Sequence, residues 1–529
     1  MADKNSYAKD GIKISRRDIL KSLSATPLLG VFAFDFWTKR SAEKTKKKTA
    51  KLDLGLDNNS KPKAPAVSRN LQPKLRIGII GVGGRATAHL KALGYVSPDW
   101  YNAKAKSKSI GAKKALEMYH NQEMLNVEIG AVCDVFDLHR EKGMNLAMHG
   151  VQPNGEASTV KNVKQYKHYQ DLLNDKDIDA VTIATPDFHH AEMTIAAAQA
   201  GKHVYCEKAM TRTEEELHEV YRTVKNSNIV FQLGHQLSKS ESYKKAKEIV
   251  EKDIIGKITL VEVTTNRNSR AGAWYRDLDS NGNPKPGSAK TIDWDLWLGK
   301  APKVPFSLDR YYGWARFFDY DTGLAGQLMS HEVDGLNQIM GFGIPKSVVA
   351  SGGIYYYDKS TRDMPDTFQV VLEYPDKDFT MLYSATLANS RSRGRVYMGH
   401  DGSMEVGGTV KLYVDGNSDK YRDNIKNGLM NPSQPFYVYP RQGRKLDGLT
   451  TATEKYYAER GLMDTKVGGK SIDITHLHFK EWLDVIRNGG ATACNIEKAF
   501  MDTVPVLMAH KSYVEKRRVV WDPIKRIIV

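Results

Sequence analysis

Three places in the chain carry residue types and spacings suited to chemistry. The first is Gly81-Val82-Gly83-Gly84-Arg85-Ala86, which follows the apolar run Ile77 to Ile80 and precedes an Ala-containing helical segment. This order fits G-x-G-x-x-G/A. Gly81 makes the tight turn, Gly83 lets the backbone approach a pyrophosphate, and Ala86 keeps the helix close to the strand. Free N–H groups at that helix start would hold the negative charge, with Gly84 and Arg85 beside them. The second is Asp134, closing the apolar strand Val127 to Cys133. A carboxylate at a strand end accepts hydrogen bonds from an adenosine ribose and repels a 2′-phosphate, which favours NAD over NADP. Arg85 and Arg140 keep NADP open. The third is Lys208, at the end of His203-Val204-Tyr205-Cys206-Glu207-Lys208. A lysine at the carboxyl end of a parallel strand faces the cofactor crevice, where it could hydrogen-bond a hydroxyl and lower its pKa during oxidation.

The elements that position these residues alternate. Strand patterns at 75–80, 127–133, 179–185 and 203–208 are separated by helical segments, such as His190 to Ala200 closed by Gly201. That alternation gives a parallel, doubly wound sheet. A polar insert from Ser97 to Gln122 explains why Asp134 lies much further from the glycines than the usual ~20 residues.

Composition bounds the rest. At 529 residues, more than one domain is expected. The formal charge of +16 is uneven: residues 1–72 hold 16 Lys/Arg against 7 Asp/Glu, so over half of the excess lies in a leader. The body has no Arg/Lys-rich helix or aromatic-interleaved basic tract, which argues against a nucleic-acid partner. Cys133, Cys206 and Cys494 form no C-x-x-C pair and indicate neither a disulfide framework nor a zinc ribbon. Ser15-Arg16-Arg17-Asp18-Ile19-Leu20-Lys21 reads as a twin-arginine export motif. It is followed by an apolar stretch too short for the ~20 residues of a membrane span. Residues 1–40 are therefore expected to be a signal segment directing export, with a periplasmic destination and no stable membrane anchor. Residues 41–72 are expected to be a flexible linker, 73–209 a nucleotide-binding domain and 210–529 a second domain.

Two tracts, Thr185-Pro186-Asp187-Phe188-His189-His190-Ala191 and Ala200-Gly201-Lys202-His203-Val204-Tyr205-Cys206-Glu207-Lys208, resemble the Gfo/Idh/MocA oxidoreductases. Asp293-Trp294-Asp295-Leu296-Trp297-Leu298-Gly299, Arg316-Phe317-Phe318-Asp319-Tyr320 and the closing Arg518 to Pro523 are similar to that family too. The family's second tract ends Glu-Lys-Pro; here Ala209 replaces the proline. The resemblance implies an α/β protein, a Rossmann domain followed by an α/β domain with a large, mostly antiparallel sheet. Short strand patterns at 347–357, 367–374, 379–388 and 394–399 agree with such a sheet. It also implies a homodimer or homotetramer.

For the site, the resemblance implies that Gly81, Gly83, Gly84, Arg85, Asp134, Thr185, Pro186, His190, Glu207, Lys208 and Gln236 surround an NAD, which an exported enzyme, away from any cofactor pool, must hold tightly or recycle in place. Lys208 and His331 would be catalytic. Lys208, Arg316, Gln327, His331 and Asp334 would meet a substrate. The family usually places Asp four residues before this histidine; here Gln327 stands there, and Gln cannot act as a base, so His331 or another group must take the proton. No metal is expected, because His189, His190 and His331 have no second ligand set at metal spacing. Asn266, Arg267, Asn268, Trp274, Tyr275 and Arg276 read either as a substrate-pocket loop or as a solvent-exposed one. The implied activity is hydride transfer at a carbinol carbon of a sugar or polyol. The alternative is a glycoside hydrolase or lyase that oxidises, eliminates, adds water and returns the hydride, with no net redox. A sugar-binding sensor on a dead scaffold is the third class, opposed by the retained Glu207, Lys208 and His331.

Overall fold

The computed structural model describes residues 73–270, 272–273, 286–439, 465–467 and 469–529. The expected signal segment and linker lie outside these residues, as do Trp274, Tyr275 and Arg276. Among the described residues, no helix is long and apolar enough to cross a membrane.

The first layer is a parallel six-stranded sheet in the order β3-β2-β1-β4-β5-β6. Its strands are β1 (Leu75–Ile80), β2 (Val127–Cys133), β3 (Lys164–Tyr166), β4 (Ala180–Ile183), β5 (His203–Cys206) and β6 (Phe231–Leu233). β1 is buried along nearly its whole length, as its unbroken apolar run requires when helices cover both faces. Helix α1 (Gly84–Ala92) follows β1, and helix α2 (His190–Gln199) follows β4 after a single 3₁₀ turn. The chain order reverses between β1 and β4, and ligands of such sheets bind in the crevice outside the carboxyl ends of the strands there.

The boundary expected at residue 209 is corrected by β6. Val204 pairs in parallel with Phe231, so this strand completes the first sheet rather than opening the second domain. A three-residue buried strand looks the same in sequence whichever sheet it joins. A helix late in the chain also crosses back. With α3 (Ser330–Met340) preceding it in the chain, α4 (Ile474–Asn488) lies far beyond the second sheet's start, yet it buries Phe479, Trp482 and Leu483 against the first sheet. Phe479 stacks on Tyr205 with ring centroids 4.1 Å apart. Trp482 is fully buried, so its truncation to Ala would cost about 3–5 kcal/mol.

The second sheet has ten strands. They are β7 (Ile258–Thr264), β8 (Ser347–Gly353), β9 (Thr367–Tyr374), β10 (Phe379–Thr386), β11 (Arg395–Gly399), β12 (Gly402–Val406), β13 (Val410–Val414), β14 (Tyr437–Tyr439) and, after a separate hairpin of β15 (Thr465–Val467) and β16 (Lys470–Ile472), β17 (Val519–Asp522) and β18 (Ile527–Ile528). All its pairings are antiparallel except β7 with β10. The alternating burial of β9 and β10 is the pattern of a sheet with one face on the core. α3 and α5 (Ile496–Glu515) cover that face, and one apolar core runs continuously from the first sheet into the second. α5 is assigned as a single helix through Pro505.

Candidate active site

The glycine turn is built for close approach. Gly81 has φ +79°, and a Cβ there would lie 2.8 Å from the Thr185 backbone nitrogen. The β1 and β4 loops therefore touch only because residue 81 lacks a side chain. Gly83 and Gly84 differ: a Cβ on either would meet nothing within 4 Å. Gly83 caps α1 without a side-chain hydrogen bond, so no capping side chain covers the first N–H groups of the helix. That open cradle, beside a helix N-terminus, fits a pyrophosphate.

Asp134 sits at the end of β2 as expected, but its carboxylate is engaged with the chain. Oδ2 accepts from the Val82 N–H at 2.6 Å, and Oδ1 accepts from Phe136 N–H at 2.9 Å. Asp134 thus fixes the glycine turn. Arg140 donates to the Asp134 carbonyl and pairs with Asp137.

Several residues expected on the cofactor also hold one another. Glu207 Oε1 accepts from Arg85 Nε at 2.6 Å and from Gln236 Nε2 at 3.3 Å, and lies 2.9 Å from His89 Nε2. Burial pushes the Glu207 carboxyl up. The Arg85 charge and the hydrogen bonds from His89 and Arg85 outweigh it, so the pKa is held well below the usual carboxylate range. Glu207 therefore anchors α1, and with it the glycine loop, to the tract that carries Lys208. His190 clamps the neighbouring segments: its ring nitrogens lie 2.6 Å from the Ala209 carbonyl and 2.9 Å from the Thr185 carbonyl. Burial lowers its pKa. Its ring is used on backbone, whereas the Thr185 hydroxyl donates to Met193 Sδ at 3.7 Å and the Pro186 carbonyl accepts from the His189 N–H at the start of the 3₁₀ segment Asp187–His189.

Lys208 joins the two domains. The Lys208–Ala209 peptide is cis. Lys208 Nζ donates to the Gln327 carbonyl at 3.3 Å and to its side-chain oxygen at 3.4 Å. Gln327 lies in the π-helical turn Ala325–Met329, which runs directly into α3. Gly326 lets that turn approach: a Cβ there would lie 2.0 Å from Thr322 Oγ1 and 3.1 Å from the Ala209 Cβ. Such π-turns recur at functional sites.

The Gln327 amide nitrogen donates to Asp187 Oδ2 at 2.8 Å and to Asp321 Oδ1 at 2.9 Å. These two buried carboxyls were not singled out from sequence. Asp187 lies inside the Thr185–Ala191 tract, and Asp321 directly follows Tyr320, where its one adjacent partner, the Thr322 N–H, is a contact that many surface aspartates also make. Burial, then the Asp187 charge, raises the Asp321 pKa well above its ordinary value, and the two side chains share a hydrogen bond. Two carboxyls so placed titrate as a coupled pair.

His331, one helical turn beyond Gln327, is 3% exposed. Burial, then the nearby Lys208 charge, pushes its pKa well below the usual histidine value, so the ring is neutral at pH 7. Its ring centroid is 5.8 Å from that of His235. Asp334 is wholly buried, and burial raises its pKa to about 7. It belongs to the group around His235 rather than to Lys208.

Arg316 does not join this set. Its guanidinium donates to the Gly313 and Asp309 carbonyls and pairs with the Asp309 carboxylate, within its own loop. The aromatic segment around it forms a separate small core. Trp297, Tyr311, Phe317 and Tyr320 pack with Phe136 from the loop after β2, and the His189 ring reaches the Trp297 carbonyl at 2.8 Å. Asn266 and Arg267 likewise tie their strand end to Arg391, Thr386 and Ala273.

Residues 75–235 match the family model described as oxidoreductase family, NAD-binding Rossmann fold. Over 90 residues, the chain is 42% identical to levoglucosan dehydrogenase of Pseudarthrobacter phenanthrenivorans, covering 17% of this chain and 23% of that protein. Over 256 residues it is 23% identical to 2,7-anhydro-N-acetylneuraminate hydratase of Mediterraneibacter gnavus, covering 47% and 58%. The chain thus matches less than two thirds of the length of these relatives. A solved levoglucosan dehydrogenase, in complex with NADH and levoglucosan, superposes with a TM-score of 0.55 at 17% identity, over 85% of this chain and 99% of that one. At that identity, the likeness is one of fold.

Proposed function

We propose that this chain, whose residues 75–235 form an NAD-binding Rossmann domain of the Gfo/Idh/MocA oxidoreductases, is an NAD-dependent oxidoreductase acting on a sugar or a sugar-derived polyol. One observation carries the reading. Lys208, at the carboxyl end of β5, reaches Gln327 of the second domain, beside neutral His331 and at the crevice that the open glycine loop borders.

Nicotinamide, when bound, accepts a hydride from a carbinol carbon. The chain's residues manage the proton and the charge. The Lys208 ammonium donates a hydrogen bond to the substrate hydroxyl oxygen and stabilises the negative charge that develops there. His331 is the acceptor of the hydroxyl proton, since Gln327 cannot take one and the buried ring is already in its neutral, accepting form. Gln327 holds Lys208 through its oxygen and the Asp187–Asp321 pair through its nitrogen. Its place in the series is that of a fixed bridge rather than a base. Gly83, Gly84 and the start of α1 receive the pyrophosphate, and Asp134 keeps that turn in shape.

The hydratase relative favours a second reading. In it, hydride leaves and returns within one turnover, and the substrate is a glycoside or an anhydro sugar. Both readings accord with export by the twin-arginine route, which rests on Arg16-Arg17 and the apolar stretch after them. The experiment follows absorbance at 340 nm with NAD+ and a panel of free sugars, polyols, glycosides and anhydro sugars, with products read by mass spectrometry. NADH accumulating with an oxidised sugar supports the first reading. Product without net NADH replaces it with the second. Neither signal, with no nucleotide bound, overturns both.

A further inference from the structure

Behind α3 lies a group of side chains that the proposed reaction does not use. His235 follows β6, Asp334 lies on α3, Cys494 precedes α5 and Asp502 lies on its second turn. All four are buried, the most exposed at 4%. Their donor atoms lie within 4.8 Å of one another. His235 Nδ1 is 3.7 Å from Asp334 Oδ1, 3.5 Å from Asp502 Oδ2 and 3.7 Å from Cys494 Sγ, and Cys494 Sγ is 3.9 Å from Asp502 Oδ2. A tetrahedral zinc with bonds of about 2.0 Å to N or O and about 2.3 Å to S sets its ligands about 3.3–3.7 Å apart. The three distances from His235 and that between Cys494 and Asp502 match such a cage to within a few tenths of an ångström, and the ion would draw in the remaining pairs, which lie within 4.8 Å.

Charge balance points the same way. Two carboxyls and a thiol share a site with one imidazole as their basic partner; among the described residues Lys498 reaches Asp334 and Cys494 through its charge, without a hydrogen bond or ion pair to either. Asn337 donates to Asp502 Oδ1 and Gln338 to Asp334 Oδ1. Among the described residues, Asp334 Oδ2 and His235 Nε2 have no hydrogen-bond partner. Buried carboxyls in this state carry a heavy desolvation cost unless a cation or proton compensates.

We propose that His235, Asp334, Cys494 and Asp502 form a structural site for one divalent transition-metal cation, with zinc the ion that this mixed thiolate, imidazole and carboxylate set selects. Four protein ligands close the coordination sphere, so the ion is structural. Cys494 releases its thiol proton to solvent on binding. The ion joins the end of β6, α3 and α5. It also sets the turn of α3 on which His331 lies, three residues before Asp334. The absence of a metal motif in the sequence follows from the spacing, since the ligands come from three separate parts of the chain.

The test uses the full-length protein, incubated with zinc and separately with cobalt(II), then freed of loose metal by gel filtration. About one zinc per chain is expected by elemental analysis. Cobalt is expected to give the visible bands of a tetrahedral site together with a thiolate charge-transfer band. Cys494→Ser should lose that charge-transfer band, and Asp502→Asn should lower the metal retained. Less than a tenth of an ion per chain from either metal would overturn the proposal, leaving His235 as an imidazolium between two carboxylates. Tetrahedral cobalt whose spectrum is unchanged in Cys494→Ser would also overturn it. Should a variant fail to fold, the metal count and spectrum of the unaltered chain still decide.

Discussion

Glu207 and Arg85 are 122 positions apart and form one ion pair, 2.6 Å from Nε to Oε1. The glycine loop and the lysine-bearing tract, separate motifs in the sequence, are thereby one device. Glu207→Gln should cost about 3 kcal/mol of stability, because it removes the buried carboxylate that the half-buried Arg85 charge faces. Denaturant midpoints measure this. The sign with pH is fixed: the folded-state pKa of Glu207 lies below the unfolded value of about 4.3, so its contribution is complete above that pH and is lost as the pH falls further. The variant should therefore show a flatter acid limb than the parent.

Gly83→Ala separates cofactor binding from folding. The added methyl meets no protein atom, and the residue has φ −75°, so stability should change by less than about 0.5 kcal/mol. The methyl would stand where the pyrophosphate approaches. NAD affinity, read by calorimetric titration, should fall at least tenfold, or about 1.4 kcal/mol.

Lys208→Gln and His331→Gln should each lower kcat/KM by about 10²–10⁴-fold, the range for a lost acid–base group. Nucleotide binding should persist in both, because neither residue forms the glycine cradle. Steady-state kinetics beside NAD titration checks the pair.

Asp321→Asn tests the coupling of the two carboxyls. Burial and the Asp187 charge raise the folded-state pKa of Asp321. Its stabilising effect is then complete below the unfolded value of about 3.9 and lost as pH rises through the folded value. The variant should gain stability relative to the parent on the alkaline side. Thermal midpoints from pH 5 to 9 would show the difference growing with pH.

Gly326→Ala should cost about 1–3 kcal/mol by overpacking, since its methyl overlaps Thr322 Oγ1 and presses on Ala209. Turnover should fall with it, because the Lys208–Gln327 contact depends on that approach. Denaturation and kinetics on one preparation read both.

What the sequence makes legible is local. Gly81 to Ala86 and Glu207-Lys208 each lie within one strand–turn unit, and the fold class follows from their order. The strand Phe231–Leu233 carries nothing that tells which sheet it joins, so the boundary expected at 209 falls short. Arg316 sits in a stretch that resembles the family, yet its guanidinium is satisfied by Asp309 seven residues away. Asp187, Asp321 and His89 acquire their partners only on folding, at separations of 140, 6 and 118 residues. The His235–Asp334–Cys494–Asp502 group is dispersed in the same way.

The most direct test of the central claim, hydride transfer to nicotinamide beside Lys208, is a single turnover with NAD+ and fully deuterated members of the sugar and polyol panel. Mass spectrometry of the nicotinamide ring then follows. The account predicts a ring heavier by one deuterium with at least one member, and loss of that label in Lys208→Gln while nucleotide stays bound. Bound nucleotide that never acquires deuterium from any member would contradict it.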